Sequence, residues 1–200
     1  MLDSTLRPLI DPPLNAAARV LGAWGVSPNA LTLAGMLVGL AAGGAIATGA
    51  YGWGLALIVT NRLLDGLDGA VARLRGTTDF GGYLDIFADF VFYAAVPAGF
   101  ALAEPANALP AALLLAGFLL AGISFLGYAV IAERRGIVSV VQGEKSFYYV
   151  AGLAEGTETI AAFVLATLQP AWFPVIACGY GAVCVITGFA RVALAHRRFR

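Results

Sequence analysis

The sequence predicts an all-α polytopic membrane protein: one domain over residues 1–200, with six transmembrane helices preceded by an amphipathic helix at the membrane surface. Three observations predict it. Apolar residues make up 60% of the chain and charged residues 12%, at a mean hydropathy of +0.84, which is more apolar surface than a soluble core of this size can hide. The apolar residues fall in runs of about 18 to 25, the length a helix needs to cross a hydrocarbon layer roughly 30 Å thick. The twelve Lys and Arg are segregated, lying in the N-terminal segment, in or beside the second and fourth connections, and in the tail "RVALAHRRFR". The first, third and fifth connections ("GAYG", "AEPANAL", "QPAWFP") have none, so both termini are expected on the cytoplasmic side.

The elements follow in order. After Pro12 and Pro13, the residues Leu14, Ala17, Ala18, Leu21 and Trp24 recur at helical spacing with Asn15 and Arg19 on other faces, predicting an interfacial helix over 13–24. Ser27 is placed to cap the first span, 29–49, with Pro28 in its first turn. Within that span Gly35, Gly39 and Gly43 form a ridge of small residues; packing inside the bundle is favoured over a homodimer face, because the spacing identifies close approach and not which helix approaches. The remaining spans are expected at 53–75, 81–103, 110–132, 147–168 and 173–195, joined by short connections that leave no segment for a soluble domain. No basic segment or small-residue cleavage site precedes the first apolar run, so no signal peptide is expected. Cys178 and Cys184, six apart on different faces of the last span, read as packing residues.

Four carboxylates stand out: Asp65, Asp68, Asp85 and Asp89, in two adjacent spans. Each costs roughly 2.5 to 3.5 kcal/mol at mid-membrane on insertion scales, which implies a use. Spacings of three and four residues put each pair on one helix face, about 60° and 40° apart. Counted from Thr78 in the intervening turn, Asp65 and Asp68 lie thirteen and ten residues back, and Asp85 and Asp89 lie seven and eleven forward. With the second and third spans as antiparallel neighbours, all four come to similar depth. Oxygen-only ligation suits Mg²⁺ or Mn²⁺, and two ions bridged by shared carboxylates best balance the charge. Gly66, Gly69 and Ala72 leave room for a flat group beside the helix, and Arg73 offers a cationic fork suited to phosphate. Together they suggest metal-assisted chemistry on a phosphorylated substrate at the cytoplasmic side.

The run "DGLDGAVAR" followed by "GGYLDIFAD" resembles the signature of the CDP-alcohol phosphotransferase (CDP-alcohol phosphatidyltransferase) family, D-x-x-D-G-x-x-A-R, a spacer, then G-x-x-x-D-x-x-x-D. Every fixed residue is present: Asp65, Asp68, Gly69, Ala72, Arg73, Gly81, Asp85 and Asp89. The spacer from Arg73 to Gly81 is seven residues where the family usually has eight, so a tighter inter-helix turn is expected. "SPNALT", with Pro28, Asn29 and Thr32, resembles the family's start of span one, and "NRLLDGLDGA", "KSFYY" and "GLAEGTETI" resemble a bacterial inner-membrane branch. The resemblance implies six spans, a surface helix and transfer of a substituted phosphate from a CDP-linked donor to an alcohol, with release of CMP. It implies that Asp65, Asp68 and Asp85 are shared metal ligands, that Asp89 is a ligand and the general base, and that Gly69, Ala72 and Arg73 contact the cytidine diphosphate. CDP-diacylglycerol is the favoured donor, facing a small polar alcohol; a soluble CDP-alcohol used with diacylglycerol is the alternative.

The other charged residues divide between roles. Arg62, three residues before Asp65, suits a local ion pair as well as a substrate contact. Arg134, Arg135, Lys145 and Arg191 are expected at the cytoplasmic mouth, as lipid anchors or as receivers of a second phosphate on the acceptor. Glu155 and Glu158 share a face in the fifth span and would suit an ammonium-bearing acceptor instead. His196, in a basic tail, has nothing to recommend it as a catalyst. A cation-coupled transporter would also need intramembrane acids, but near mid-bilayer and often in two matching repeats, and the halves here do not repeat. A prenyltransferase would separate its two acidic motifs widely. The expected partners are membrane lipids, with no nucleic acid, in a bacterial inner membrane with the site facing the cytoplasm.

Overall fold

The structure, a computed structural model, describes residues 2–136 and 156–199. Those residues form seven helices: α1 (Leu2–Ala23), α2 (Pro28–Ala47), α3 (Tyr51–Arg75), α4 (Asp79–Ala103), α5 (Ala108–Arg134), α6 (Gly156–Leu168) and α7 (Phe173–Arg198). The boundaries of α2, α3, α4, α5 and α7 differ from the expected spans by three residues at most. The fifth expected span ends with α6 at residue 168, and its first part, 147–155, lies outside the described residues. Among the described residues, α2, α4 and the segments Pro105–Arg134 and Pro170–Arg198 are long and apolar enough to cross a membrane. Helix α3 has the length, 25 residues, but its second half carries Asn61, Arg62, Asp65, Asp68, Arg73 and Arg75.

The N-terminal helix departs from expectation in two ways. It begins at Leu2 and runs through Pro12 and Pro13 instead of starting after them; proline's fixed φ is a helical one, although each ring gives up a backbone bond and crowds the carbonyl four residues before it. Its apolar stripe is also divided. Leu14, Ala18 and Leu21 pack with Leu64, Leu67, Ala70 and Val71 of α3, whereas Trp24 points outward, 77% exposed. Ser27 caps α2 as expected, accepting from the Ala30 amide at 3.2 Å.

The glycine ridge of α2 sets the arrangement of the bundle. A Cβ on Gly35 would lie 3.5 Å from Leu64 of α3; on Gly39 it would meet both Phe92 of α4 at 3.0 Å and Asn61 of α3 at 3.2 Å; on Gly43 it would sit 2.5 Å from the Ala95 carbonyl of α4. The ridge is therefore used within the chain, on two helices at once. This corrects the expected pairing of the second and third spans: α3 and α4 each pack along α2 and make almost no contact with each other. Small residues allow such approach where lipid supplies no hydrophobic force between helices. Gly43→Val is expected to destabilise the protein by about 1–3 kcal/mol, the usual penalty of overpacking, because backbone and not a movable side chain stands in the way. Denaturation in detergent reads it, and an unchanged midpoint would contradict the ridge packing.

A second seam joins α5 to α7, where Gly117 lies against Gly181 and Cys184, and Gly188 against Leu120. Aromatic rings fill the centre: Phe100 stacks on Phe173 at 4.2 Å, and Phe92 meets Phe163 edge-on at 5.5 Å. Phe92 and Phe163 are both fully buried, so the polar half of α3 stands above an apolar floor.

Candidate active site

The turn between α3 and α4 is short and pinned. Gly76 ends α3 at φ 99°, a left-handed value that glycine adopts without strain. Two residues later Thr78 caps α4, its Oγ1 accepting from the Gly81 amide at 3.0 Å. Arg75 donates to the carbonyls of Gly22 (2.6 Å), Gly25 (3.3 Å) and Val26 (3.1 Å), tying this end of α3 to the elbow between α1 and α2. The connection between the two helices is three residues long.

Across the gap left between α3 and α4, one carboxylate oxygen each from Asp65, Asp68 and Asp85 lies within 4.8 Å of the others. Asp68 is the most enclosed, 5% exposed, and its Oδ2 accepts from Thr32 of α2 at 2.6 Å. Asp85 faces outward and Asp65 is half-buried. Asp89 does not join the three. Its Oδ1 accepts from both Nη1 and Nη2 of Arg62 at 3.1 Å, while the Arg62–Asp65 approach is longer, at 3.6 Å. The expected local pair is thus the weaker one; of the four expected ligands, Asp65, Asp68 and Asp85 approach one another most closely and Asp89 lies beside them, on the same cavity as Asp65 and Asp68. One cavity is lined by Thr32, Asn61, Arg62, Asp65, Asp68 and Asp89.

The triad fits a divalent cation. Three carboxylates at this separation repel by on the order of 1 kcal/mol per pair even in water, and by several times more at lower dielectric. Their donors are all hard oxygens, the set preferred by Mg²⁺ and Mn²⁺. The residues that would hold it are Asp65, Asp68 and Asp85, with Asp89 the fourth expected ligand beside them.

The other candidates are distributed unevenly. Gly69 and Arg73 adjoin, since a Cβ on Gly69 would lie 3.4 Å from Arg73 Nη1; Arg73 is exposed and Ala72 half-buried beside it. Gly66, expected to leave room for a flat group, is instead covered by Leu14 of α1, which a Cβ would meet at 2.8 Å. Arg134 and Arg135 are exposed at the end of α5, and Arg135 lies over the Phe199 ring at 5.4 Å. Arg191 does not share their surface position. It is 8% exposed in the α5–α7 seam, donating to the Ala121 carbonyl at 3.0 Å, about 12 Å along α7 from Phe199 at 1.5 Å per residue. Glu158 is half-buried in the first turn of α6; Lys145 and Glu155 lie outside the described residues. Two residues carry site contacts that the sequence reading gave no role: Thr32, and Asn61, whose Oδ1 accepts from Arg62 Nε at 2.8 Å. The signal for Asn61 was an amide in the middle of an apolar run.

The profile of the CDP-alcohol phosphatidyltransferase family matches residues 25–195. The inner membrane protein YnjF of Escherichia coli (strain K12) is 51% identical over 193 residues, 96% of this chain and 94% of its own. The archaetidylinositol phosphate synthase of Pyrococcus horikoshii is 34% identical over 100 residues, 50% of this chain and 53% of its own. Among solved structures, the Mycobacterium tuberculosis phosphatidylinositol phosphate synthase (PgsA1) with CDP-DAG bound superposes with a TM-score of 0.70 at 20% identity, over 90% of this chain and 92% of that one. Its complex with manganese and citrate gives 0.70 at 22% identity, over 90% and 87%. At these identities the superposition shows the fold, and the family match over the acid-bearing helices shows the chemistry class: the chain belongs to the CDP-alcohol phosphatidyltransferase family and is a membrane-embedded phosphotransferase.

Proposed function

We propose that the protein transfers the phosphatidyl group of CDP-diacylglycerol to a small phosphorylated polyol, releasing CMP, at the cytoplasmic face of a bacterial inner membrane with both termini on that side. The observation that carries this reading is the Asp65–Asp68–Asp85 triad set across a gap between two helices, with Asp89 and Arg62 beside it, Gly69 next to Asp68 and Arg73 about one turn further on. Two divalent ions held by the aspartates would polarise the diphosphate and stabilise the CMP leaving group. Gly69, Ala72 and Arg73 bind the cytidine diphosphate, the arginine fork matching phosphate oxygens. Asp89 takes the proton of the acceptor hydroxyl as its oxygen bonds to the phosphorus bearing the diacylglycerol; the bond from that phosphorus to the diphosphate bridge breaks, and CMP leaves with the electron pair.

The donor reading is supported by a neighbour of the same fold described with CDP-DAG bound, and the acceptor reading by relatives named as synthases of inositol phosphate lipids. Arg134, Arg135 and Lys145 are the candidates for the acceptor's phosphate, with Arg191 acting from deeper in the bundle. Glu155 and Glu158 would instead select an ammonium-bearing acceptor. An acceptor panel tests this: glycerol phosphate, inositol phosphate, serine and ethanolamine, each with CDP-diacylglycerol, read by CMP release and lipid product mass. A phosphorylated polyol is expected to react. Product from an amino alcohol alone would overturn the acceptor class, and transfer only from CDP-choline or CDP-ethanolamine to diacylglycerol would overturn the donor.

A further inference from the structure

The elbow between α1 and α2 is closed by its own backbone and by one side chain from α3. Gly25 takes a left-handed φ of 81°, its amide donates to the Gly22 carbonyl at 3.1 Å, and the Val26 amide reaches back to Leu21 at 3.1 Å, the pattern in which a helix ends on glycine. Arg75 then gathers the carbonyls on the outside of this turn: Nη2 donates to Gly22, and Nη1 to Gly25 and Val26. The partial negative charge at a helix C-terminus favours a cation there. The next residue, Ser27, caps α2, and Asn29 in the first turn of α2 stands against α4, where a Cβ on Gly81 would meet its Oδ1 at 3.2 Å. The elbow therefore meets the end of α3 through Arg75 and the start of α4 through Asn29, while the two helices scarcely touch each other.

Arg73 precedes Arg75 by two residues, about 200° around the helix at 100° per residue. With Arg75 turned to the elbow, Arg73 is turned away from it and lies back along α3, its Nη1 3.4 Å from where a Cβ on Gly69 would sit. Deeper in the bundle α2 and α3 are joined separately, by Thr32 to Asp68 and by Asn61 to the Gly35 carbonyl. Asp68 lies about 10 Å from Arg75 along the axis at 1.5 Å per residue. It has its own tie to α2, whereas the outer turn of α3, which carries Arg73, is tied by Arg75.

We propose that Arg75 is a positioning residue for the donor: it holds the last turn of α3 against the α1–α2 elbow so that Arg73 and Gly69 face the diphosphate, and itself touches neither substrate nor ion. This rests on the donor site proposed above and adds the residue that sets its orientation. Three carbonyls spread over the elbow suit the planar fork of arginine; a lysine ammonium keeps the charge as a compact point and loses the fork.

The test uses the full chain in lipid nanodiscs and reads equilibrium binding of CDP-diacylglycerol, Mn²⁺ affinity and CMP release. Arg75→Met and Arg75→Lys are each expected to raise the donor Kd about tenfold or more, while Mn²⁺ affinity and kcat at saturating donor stay within about threefold, the pattern of lost binding without lost chemistry. Donor binding, ion binding and kcat falling together would mean that Arg75 serves the fold alone and would overturn the proposal. Wild-type donor binding in Arg75→Lys would mean a plain charge effect and would overturn it as well; that variant decides the matter if Arg75→Met does not fold. When Arg73 is already Met, Arg75→Lys is expected to change donor binding by less than about threefold, because the two residues act as one unit. The same factor in both backgrounds would contradict an effect carried through Arg73. If the donor cycle behaves as expected while the wild type releases no CMP with any acceptor, the proposed transfer fails and the positioning by Arg75 stands.

Discussion

Asp89→Asn is expected to lower kcat by about 10²–10⁴-fold, the usual contribution of a positioned general base, while binding of CDP-diacylglycerol stays measurable. Asparagine keeps the shape and an oxygen that can accept from Arg62, so the fork retains a partner at 3.1 Å. What it loses is the ability to take a proton. Single-turnover CMP release beside equilibrium binding of the donor separates the two effects. Turnover within twofold of the wild type would remove Asp89 from the base role.

Loss of Asp68 is expected to be as severe through a different step. It is the most enclosed acid of the triad and the one tied to α2, through Thr32 at 2.6 Å. Asp68→Asn is expected to weaken Mn²⁺ binding more than about 100-fold and take CMP release to background. Thr32→Val, which removes only the hydrogen bond orienting that carboxylate, is expected to cost about 10–100-fold, the range for partners that orient a metal ligand. Asp68→Asn with wild-type Mn²⁺ affinity would exclude the triad as the ion site. Equal losses in the two variants would mean that Thr32 supports the fold of α2 and not the ligand alone.

Much of this was legible before the structure, for reasons that differ by residue. Span boundaries could be read because lipid demands unbroken apolar runs, and α2, α4, α5 and α7 supply them. Asp65 and Asp68 could be placed on one face because helical spacing is local, and Asp85 brought to their depth because the turn at Thr78 fixes the fold-back. What could not be read was which helices pack. The contacts of α2 with α3 and α4 are made where side chains are missing, at Gly35, Gly39 and Gly43, and an absence names no partner. The same limit hid Leu14 over Gly66. The Arg62–Asp89 pair was obscured because Asp65 is three residues away in sequence and Asp89 twenty-seven, and only tertiary structure ranks them.

The insertion of α2 between the two acid-bearing helices makes it a caliper. Since α3 and α4 do not rest on one another, the opening between their carboxylates is set by the thickness of what lies between them, and at Gly39 that thickness is bare backbone touching Phe92 on one side and Asn61 on the other. Mg²⁺ needs oxygens at about 2.0–2.1 Å and Ca²⁺ at about 2.3–2.6 Å, so a few tenths of an ångström added to the spacer is the scale on which one ion is exchanged for another. For an ion held there, the fit would depend partly on residues that own no functional group. A methyl group added at Gly39, in the seam with Phe92 and Asn61, would bear on that spacing without touching ion or substrate.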